Sequence, residues 1–299
     1  MGVALAVDIG GTKLAAALVG RDGAVVATTQ RSTPTPTGVD PEVVFAALVH
    51  LVDAVVDASP PSLESTVLEV CGVGSGGPMA PGGEEVSPLN IPGWRHFPLR
   101  SRLAAHLGLP VFVDNDAKAL ALGEGWVGAA RGKHNFIAMV VSTGVGGGIV
   151  LEGRLLDGAA GNAGHIGHVI VEPQGRVCAC GARGCLEAEA SGTAIRAITG
   201  KAPSEAPLEL RQRTGLLVGR AVASVASLLD LRLAVISGSV ALGYGEVFFG
   251  AAQAELDRSA RLDFSRGARI VPDGLGAYGP LVGAAAVGWR ALGQDIGVS

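Results

Sequence analysis

Short apolar runs, each closed by glycine and polar residues, set the pattern at the N-terminal end of the chain. Val3 to Val7 is apolar and stops at Asp8; Ile9-Gly10-Gly11-Thr12-Lys13 follows, and then a second apolar run from Leu14 to Val19. The turn Gly20-Arg21-Asp22-Gly23 leads into a third run, Ala24 to Thr28. Runs of this length between turn residues predict strands, and three in succession predict a β-meander. Ser32 to Val39 is a polar, Pro-rich connection. Asp40-Pro41 then offers an N-cap and a first-turn proline, and Val44, Leu48, Leu51, Val52 and Val55 fall on one helical face before Ser59-Pro60-Pro61 ends it. Val67 to Val73 predicts another strand, running into Gly74-Ser75-Gly76-Gly77-Pro78 and a long loop from Met79 to Phe97. Loops of that length within a domain usually serve function, and Trp94 in it is expected to shape a ligand pocket. A short helix near Leu99 to Leu107 precedes the strand Pro110 to Val113, which ends in Asp114-Asn115-Asp116 just before a helix from Ala117 to Val127. The carboxyl end of such a strand is where open α/β sheets hold ligands.

The pattern then restarts. Phe136 to Val141 is apolar and ends at Ser142-Thr143-Gly144-Val145-Gly146-Gly147-Gly148; apolar Ile149 to Leu151 follows, then a Glu152-Gly153-Arg154 turn and another short run. Strand, Gly/Thr turn, strand, Gly/Arg turn, strand repeats the layout of residues 3 to 28. An internal duplication of two α/β halves, with a cleft between the two Gly-rich turns, is the expected architecture. Helices are predicted over roughly Ala188 to Thr199 and Leu208 to Leu229. A strand from Leu233 to Ile236 enters Ser237-Gly238-Ser239, and a helix from about Tyr244 to Asp257, a strand from Ala268 to Val271 and an Ala-rich helix from about Leu281 to Leu292 follow.

Composition narrows the class. The chain has 299 residues, 48% hydrophobic and 17% charged, yet every long apolar run is interrupted before the roughly 18 residues that a membrane-spanning helix needs. The opening MGVALAVDIGGTK has no basic region ahead of its apolar run, so no signal peptide is expected and a cytoplasmic location is. With a net charge of -4 and no sizeable Lys/Arg cluster, neither nucleic acid nor an anionic membrane is an expected partner.

The polar residues at the turns define candidate chemistry. Asp8-Ile9-Gly10-Gly11-Thr12-Lys13 combines a carboxylate, exposed backbone N–H groups, a hydroxyl and an ammonium, the parts of a phosphate and Mg²⁺ site, although an ordinary hairpin also uses glycine. Two Gly/Thr turns can hold the phosphates of ATP, with Asp8 in the metal shell, and Ser237-Gly238-Ser239 can admit the base and ribose. Asp116 is the candidate general base for phosphoryl transfer; the competing role is a cap on the following helix. The Gly-rich segment from Gly164 to Glu187 carries Cys178, Cys180 and Cys185 in a C-x-C-x4-C pattern with His168 upstream. Three thiolates and an imidazole form a closed tetrahedral set of the kind structural Zn²⁺ uses; the competing assignment is a disulfide plus a spare thiol.

Taken in order, Asp8 to Lys13, Asn115-Asp116, Ser142 to Gly148, Gly167-His168 and Cys178 to Glu187 resemble the ROK family of sugar kinases and sugar-responsive repressors. The resemblance spans essentially the whole chain, and the cysteine segment is its most specific part. It implies two ribonuclease H-like domains of the actin-like ATPase type, expected here as residues 1–116 plus about 281–299 and residues 117–280. It implies ATP and Mg²⁺ as cofactors, Zn²⁺ on His168, Cys178, Cys180 and Cys185, and Asp116 as base toward a hexose or N-acetylhexosamine hydroxyl, usually at C6. Gly77, Asn90, Asn115, His168 and Glu187 would contact the sugar, and Thr12, Lys13, Thr143, Gly144 and Gly238 the nucleotide. Two positions depart from the family. Gly164-His165-Ile166-Gly167-His168 stands where G-E-x-G-H is common, so His165 replaces a sugar-binding Glu and an atypical sugar or polyol becomes an alternative acceptor. Lys118 stands where a small or amide residue is common and is expected to be solvated, without a role. The family's repressors carry a DNA-binding segment before this part, whereas only seven residues precede Asp8 here, so the kinase is expected over the regulator. A homo-oligomer, dimer or tetramer, is also expected, since the apolar C-terminal helices would suit an interface.

Overall fold

The computed structural model describes residues 2–38, 40–60 and 67–299; Val39 and Pro61, at the ends of two predicted connections, lie outside them. The chain forms two compact units, Met1–Gly132 with Asp157–Ala163 and Leu275–Ser299, and Lys133–Leu156 with Gly164–Gly274.

In the first unit β1 (Gly2–Ile9) pairs antiparallel with β2 (Lys13–Gly20), which pairs antiparallel with β3 (Arg31–Pro34). On its other side β1 runs parallel to β4 (Val67–Ser75), and β4 parallel to β5 (Val111–Asn115), giving the order β3-β2-β1-β4-β5. The predicted third strand is displaced. Ala24 to Thr28 forms a loop and a 3-10 turn, because Thr29 is buried and its hydroxyl accepts from Leu18 N–H at 3.0 Å, filling the place of a strand partner. The pairing passes instead to Arg31–Pro34, within the segment expected to be a connection. Helix α1 (Pro41–Asp57) is capped as predicted, Asp40 accepting from Glu42 N–H at 2.9 Å, and it buries Val44, Leu48, Leu51, Val52 and Val55. Helices α2 (Leu99–Leu107) and α3 (Asp116–Val127) flank β5 in the chain.

The second unit repeats this plan. Strands β6 (Phe136–Val141), β7 (Val145–Leu151) and β8 (Arg154–Leu155) form the antiparallel ribbon, and β9 (Leu233–Ser237) and β10 (Arg269–Pro272) add in parallel, in the order β10-β9-β6-β7-β8. Gly146, Gly147 and Gly148, read as part of the turn, belong to β7. Residues 164–167 run across that strand at Gly147: a Cβ on Gly147 would lie 3.0 Å from the Ile166 side chain, and one on Gly164 would lie 2.1 Å from the Gly147 carbonyl oxygen. Helix is broken at Ser191 into α4 (Leu186–Ala190) and α5 (Gly192–Thr199), the Ser191 hydroxyl capping α5 by accepting from Ala194 N–H. Helix α6 (Leu208–Leu229) matches its prediction. An extra short helix, α7 (Ser239–Tyr244), precedes α8 (Glu246–Ser259). Helices α6 and α8 cross at glycine, since Cβ atoms on Gly215 and Gly219 would lie 2.3 and 2.2 Å from the Phe248 and Ala252 carbonyl oxygens.

The chain then returns to the first unit as α9 (Gly279–Ala291). A Cβ on Gly283 would sit 2.5 Å from the Ala119 carbonyl oxygen, and one on Gly72 would sit 2.0 Å from that of Ala284. Backbone therefore touches backbone between α3 and α9 and between β4 and α9. This packing keeps α3 in the first unit. Among the described residues no helix is long and apolar enough to cross a membrane.

Candidate functional site

The parallel register of β1, β4 and β5 sets Asp8 opposite Gly74 and Gly74 opposite Asp114, so the strands end side by side. Residue 74 lies between the two acidic residues: a Cβ there would be 3.6 Å from Asp116 Cα and 4.0 Å from Asp8 Oδ1, within ordinary contact of both. Desolvation, then repulsion from the Asp116 carboxylate, pushes the Asp8 pKa up to about 7, with Lys13 opposing the rise. Two carboxylates crowded at strand ends are a high-energy arrangement that a divalent cation or a proton relieves.

The rest of the predicted acceptor set lies in the same unit. Gly10 N–H donates to the Lys13 carbonyl at 3.0 Å, closing the DIGGTK turn, and Thr35 clamps it from outside, its hydroxyl on the Gly10 carbonyl at 2.6 Å and its N–H on that of Thr12 at 3.1 Å. The turn presses on Asn90, since a Cβ on Gly11 would come within 2.6 Å of the Asn90 side chain. Gly77 faces Asn115, whose Nδ2 would lie 3.5 Å from a Cβ placed there. Asn115 itself is the N-cap of α3, its Oδ1 accepting from Ala117 N–H at 3.0 Å, and Asp116 Oδ1 accepts from the same N–H at 2.8 Å. Asn115 and the candidate base Asp116 thus share one backbone donor at the start of α3.

Two expectations are corrected here. Trp94 does not line a pocket: it is fully buried, stacked on Phe97 with ring centroids 4.5 Å apart, and its indole N–H donates to the Pro41 carbonyl at 3.1 Å. An indole with one polar atom finds that partner on α1 and joins the core. Lys118 is not solvated but 2% exposed, held by Asp114 and Asp157.

In the second unit the Ser142-Thr143-Gly144 turn is tied to the start of α5. Gly192 N–H donates to the Ser142 carbonyl at 2.7 Å and the Thr193 hydroxyl to the Thr143 carbonyl at 2.9 Å. Ser142 and Ser239 hydroxyls lie 2.9 Å apart, so the turn and the Gly238 region form one polar cradle. Gly238 has φ 104°, and a Cβ there would strike the Val141 carbonyl oxygen at 2.4 Å. Ser237 donates to Asp273 at 2.5 Å across the ends of β9 and β10. Thr35, Thr193 and Asp273 had no motif to mark them in the sequence.

Glu187 packs on the same turn, Oε2 accepting from Val145 N–H at 2.9 Å, where a Cβ on Gly144 would clash at 2.8 Å. His168 and the three cysteines converge, their ligand atoms all within 4.8 Å of one another. His168 Nδ1 lies 3.7 Å from Cys178 Sγ, and Cys180 Sγ lies 3.7 Å from Cys185 Sγ, with all three thiols free. A tetrahedron with metal–sulfur bonds of about 2.3 Å has sulfur–sulfur edges of about 3.8 Å, so the donor set fits Zn²⁺ and the disulfide alternative fails. The His165 ring lies beside that of His168, centroids 6.2 Å apart and planes at 18°. Buried Glu189 fastens this loop by accepting from Arg176 N–H and from the guanidinium groups of Arg176 and Arg213, and Arg220 donates to the Val171 carbonyl at 2.7 Å.

The sequence profile of the ROK family matches residues 4–290. The chain belongs to the ROK family. It is 39% identical to an N-acetylmannosamine kinase of Citrobacter koseri over 81% of this chain and 84% of the relative. It is 39% identical to a glucokinase of Thermotoga maritima over 64% of this chain and 58% of that one. Its fold superposes with a TM-score of 0.81 on a ROK glucokinase from Streptomyces griseus crystallised with glucose and AMPPNP, 30% identical, over 97% of this chain and all of the other. Both units of this ROK protein have the α/β plan of ribonuclease H-like, actin-like ATPase domains.

Because the folded-state pKa of Asp8 lies above its unfolded value of 3.8, the native state binds the extra proton between about 4 and 7. That contribution to stability is complete below the unfolded pKa and is lost as pH rises through about 7. Asp8→Asn is therefore expected to raise Tm by several degrees relative to wild type at pH 8 and by much less at pH 5, with Mg²⁺ narrowing the difference at pH 8. Thermal denaturation at both pH values checks this; equal shifts would show that Asp8 is not held under repulsion.

Proposed function

We propose that this ROK protein is an ATP-dependent sugar kinase that phosphorylates an N-acetylhexosamine, with N-acetylmannosamine its preferred acceptor, at the C6 hydroxyl. The observation that carries the kinase chemistry is Asp116 set beside Asp8 across Gly74 at the ends of parallel strands. What supports the choice of acceptor is His165 in place of the family's usual Glu, together with relatives named N-acetylmannosamine kinase, 39% and 37% identical over 81% of this chain.

Asp116 accepts the proton of the C6 hydroxyl as that oxygen forms its bond to the γ-phosphorus of ATP, while the bond from phosphorus to the β,γ-bridging oxygen breaks and ADP leaves. Asn90, Asn115 and the backbone at Gly77 orient the sugar. Gly10, Gly11, Thr12 and Lys13, with Thr143, Gly144 and Gly238, supply donors and close backbone approach for the nucleotide. Asp8 would take part in the Mg²⁺ shell; that cation neutralises phosphate charge when bound.

His165, His168 and Glu187 complete the sugar contacts. His168 turns Nδ1 toward Cys178, so Nε2, across the ring, is left for a hydroxyl, and a Zn²⁺ on Nδ1 would fix the tautomer that allows this. A carboxylate at residue 165 would accept from two neighbouring hydroxyls, whereas a neutral imidazole accepts one hydrogen bond and donates one. A substrate with an acetamido group, which both donates and accepts, suits that pair better than a diol. A cytoplasmic location supplies ATP and keeps the cysteines reduced for the metal.

Three measurements test this reading. ADP release across a panel of hexoses, hexosamines, N-acetylhexosamines and polyols should be largest for N-acetylmannosamine, and Asp116→Asn should lower kcat by about 10²-fold or more with Tm little changed. Turnover with no sugar, or an undiminished mutant, would end the proposal. His165→Glu should shift preference toward glucose by roughly tenfold, the factor set by one buried hydroxyl gaining or losing its partner, while KM for ATP stays within twofold. Removal of metal should release one Zn²⁺ per chain and raise the sugar KM severalfold with little effect on that for ATP; a chain that holds no zinc, or loses it without a change in KM, would refute the proposed role for the cluster.

A further inference from the structure

Lys118 is buried in the first turn of α3, two residues after Asp116, and its ammonium has three acceptors around it. Nζ lies 3.0 Å from Asp114 Oδ1, donates to Asp157 Oδ1 at 2.6 Å and donates to the Gly161 carbonyl at 3.3 Å. Three N–H donors meet three acceptors, so the charge is fully satisfied where solvent cannot reach it. Asp114 and Lys118 lie on either side of Asp116 in the chain, at the end of β5 and the start of α3.

The other two acceptors belong to an unusual stretch. The chain before residue 157 and after residue 163 is part of the second unit, but Asp157–Ala163 packs into the first. This strap is folded on itself, with Ala163 N–H donating to the Asp157 carbonyl at 3.0 Å and Gly158 and Gly161 at φ 74° and 77°. It holds no regular strand or helix of its own, and Lys118 contacts it at its first residue and near its end. Beyond Ala163 the chain enters Gly164 to His168. His165 follows Gly161, the later of the two residues that Lys118 contacts, by four residues, so its Cα stays within about 14 Å of that anchored Cα.

We infer that Lys118 is a positioning residue, a latch that fixes the Asp157–Ala163 strap to the strand–helix junction carrying Asp116 and so sets where the His165–His168 segment begins. One ammonium restrains both the junction that holds the base and the start of the sugar-contacting segment. The Lys118 ammonium joins the ionised side chains of Asp114 and Asp157, so its contacts are ion pairs as well as hydrogen bonds. The latch is thus a device of this chain's own residues, and its expected effect is on the sugar and not on the nucleotide. This inference rests on the proposed sugar kinase activity for its kinetic readout but not for its structural one.

Lys118→Met would leave Asp114 buried without its cation and is the variant most exposed to misfolding. Asp157→Asn is the cleaner test, since the Asp157 side chain is 54% exposed and its loss leaves the Lys118–Asp114 pair in place. Expected for Asp157→Asn are a rise of about fivefold or more in the sugar KM, an ATP KM within twofold of wild type, and partial recovery of the sugar KM in Asp157→Glu. Hydrogen exchange of the amides of residues 158–163, measured without ligands, should accelerate in Asp157→Asn while exchange in β1 and β4 does not. A sugar KM unchanged within twofold, an equal rise in both KM values, or unaltered exchange in the strap would each overturn the inference. If the wild-type protein phosphorylates no sugar, the proposed function fails, and the exchange measurement still decides whether Asp157 latches the strap.

Discussion

Repulsion between two carboxylates at the ends of parallel strands is the constraint around which the first unit is organised. Asp8 and Asp116 are brought to the two sides of Gly74 by the sheet register, and the fold must supply the free energy that keeps them there. It does so through close backbone packing behind them. Gly72 and Gly283 let α9 rest directly on β4 and α3, so the strand ends cannot splay to relieve the charge. The same small residues that make the chain glycine-rich therefore serve rigidity at this point, and the raised Asp8 pKa is its electrostatic signature.

The second unit solves a different problem with a related device. Its Gly/Thr turn packs beside a long cysteine-bearing loop. Glu187 joins the two, one carboxylate oxygen on Val145 N–H and the helix that carries it following directly on Cys185. The loop is held twice, by the His168, Cys178, Cys180 and Cys185 donor set and by the buried Glu189 with Arg176 and Arg213. A metal on that donor set would orient His168, whereas the arginine contacts fasten the loop to α6. A metal-dependent effect on the sugar need not be an effect on the fold.

Duplication explains why one plan meets two chemical tasks. Both sheets place an antiparallel three-stranded ribbon beside two parallel strands, and the polar residues gather at equivalent strand ends. At the end of the fifth strand one unit has Asp116 and the other Asp273. Asp273 accepts from the Ser237 hydroxyl, while Asp116 accepts from the Ala117 N–H and its charge raises the pKa of Asp8, after desolvation. Equivalent positions have thus been given opposite electrostatic surroundings.

The repeating strand and turn pattern, the capped α1, the long α6 and the cysteine donor set were legible in the sequence because each follows from local spacing: period-two or helical burial, an Asp-Pro cap, or thiols close enough in the chain to share one metal. The ROK resemblance likewise rested on short contiguous motifs. What only tertiary structure decided depends on partners distant in sequence. Whether Ala24 to Thr28 or Arg31 to Pro34 pairs with β2 turned on buried Thr29 bonding to Leu18, and whether Gly146 to Gly148 is turn or strand turned on residues 164–167 crossing it. Trp94 became core because α1 offered an acceptor for its indole. Lys118 became a buried cation because Asp157, far along the chain, returns to meet it. A side chain's identity states what it can bind; its solvation, and hence its role, is set by what the fold brings to it.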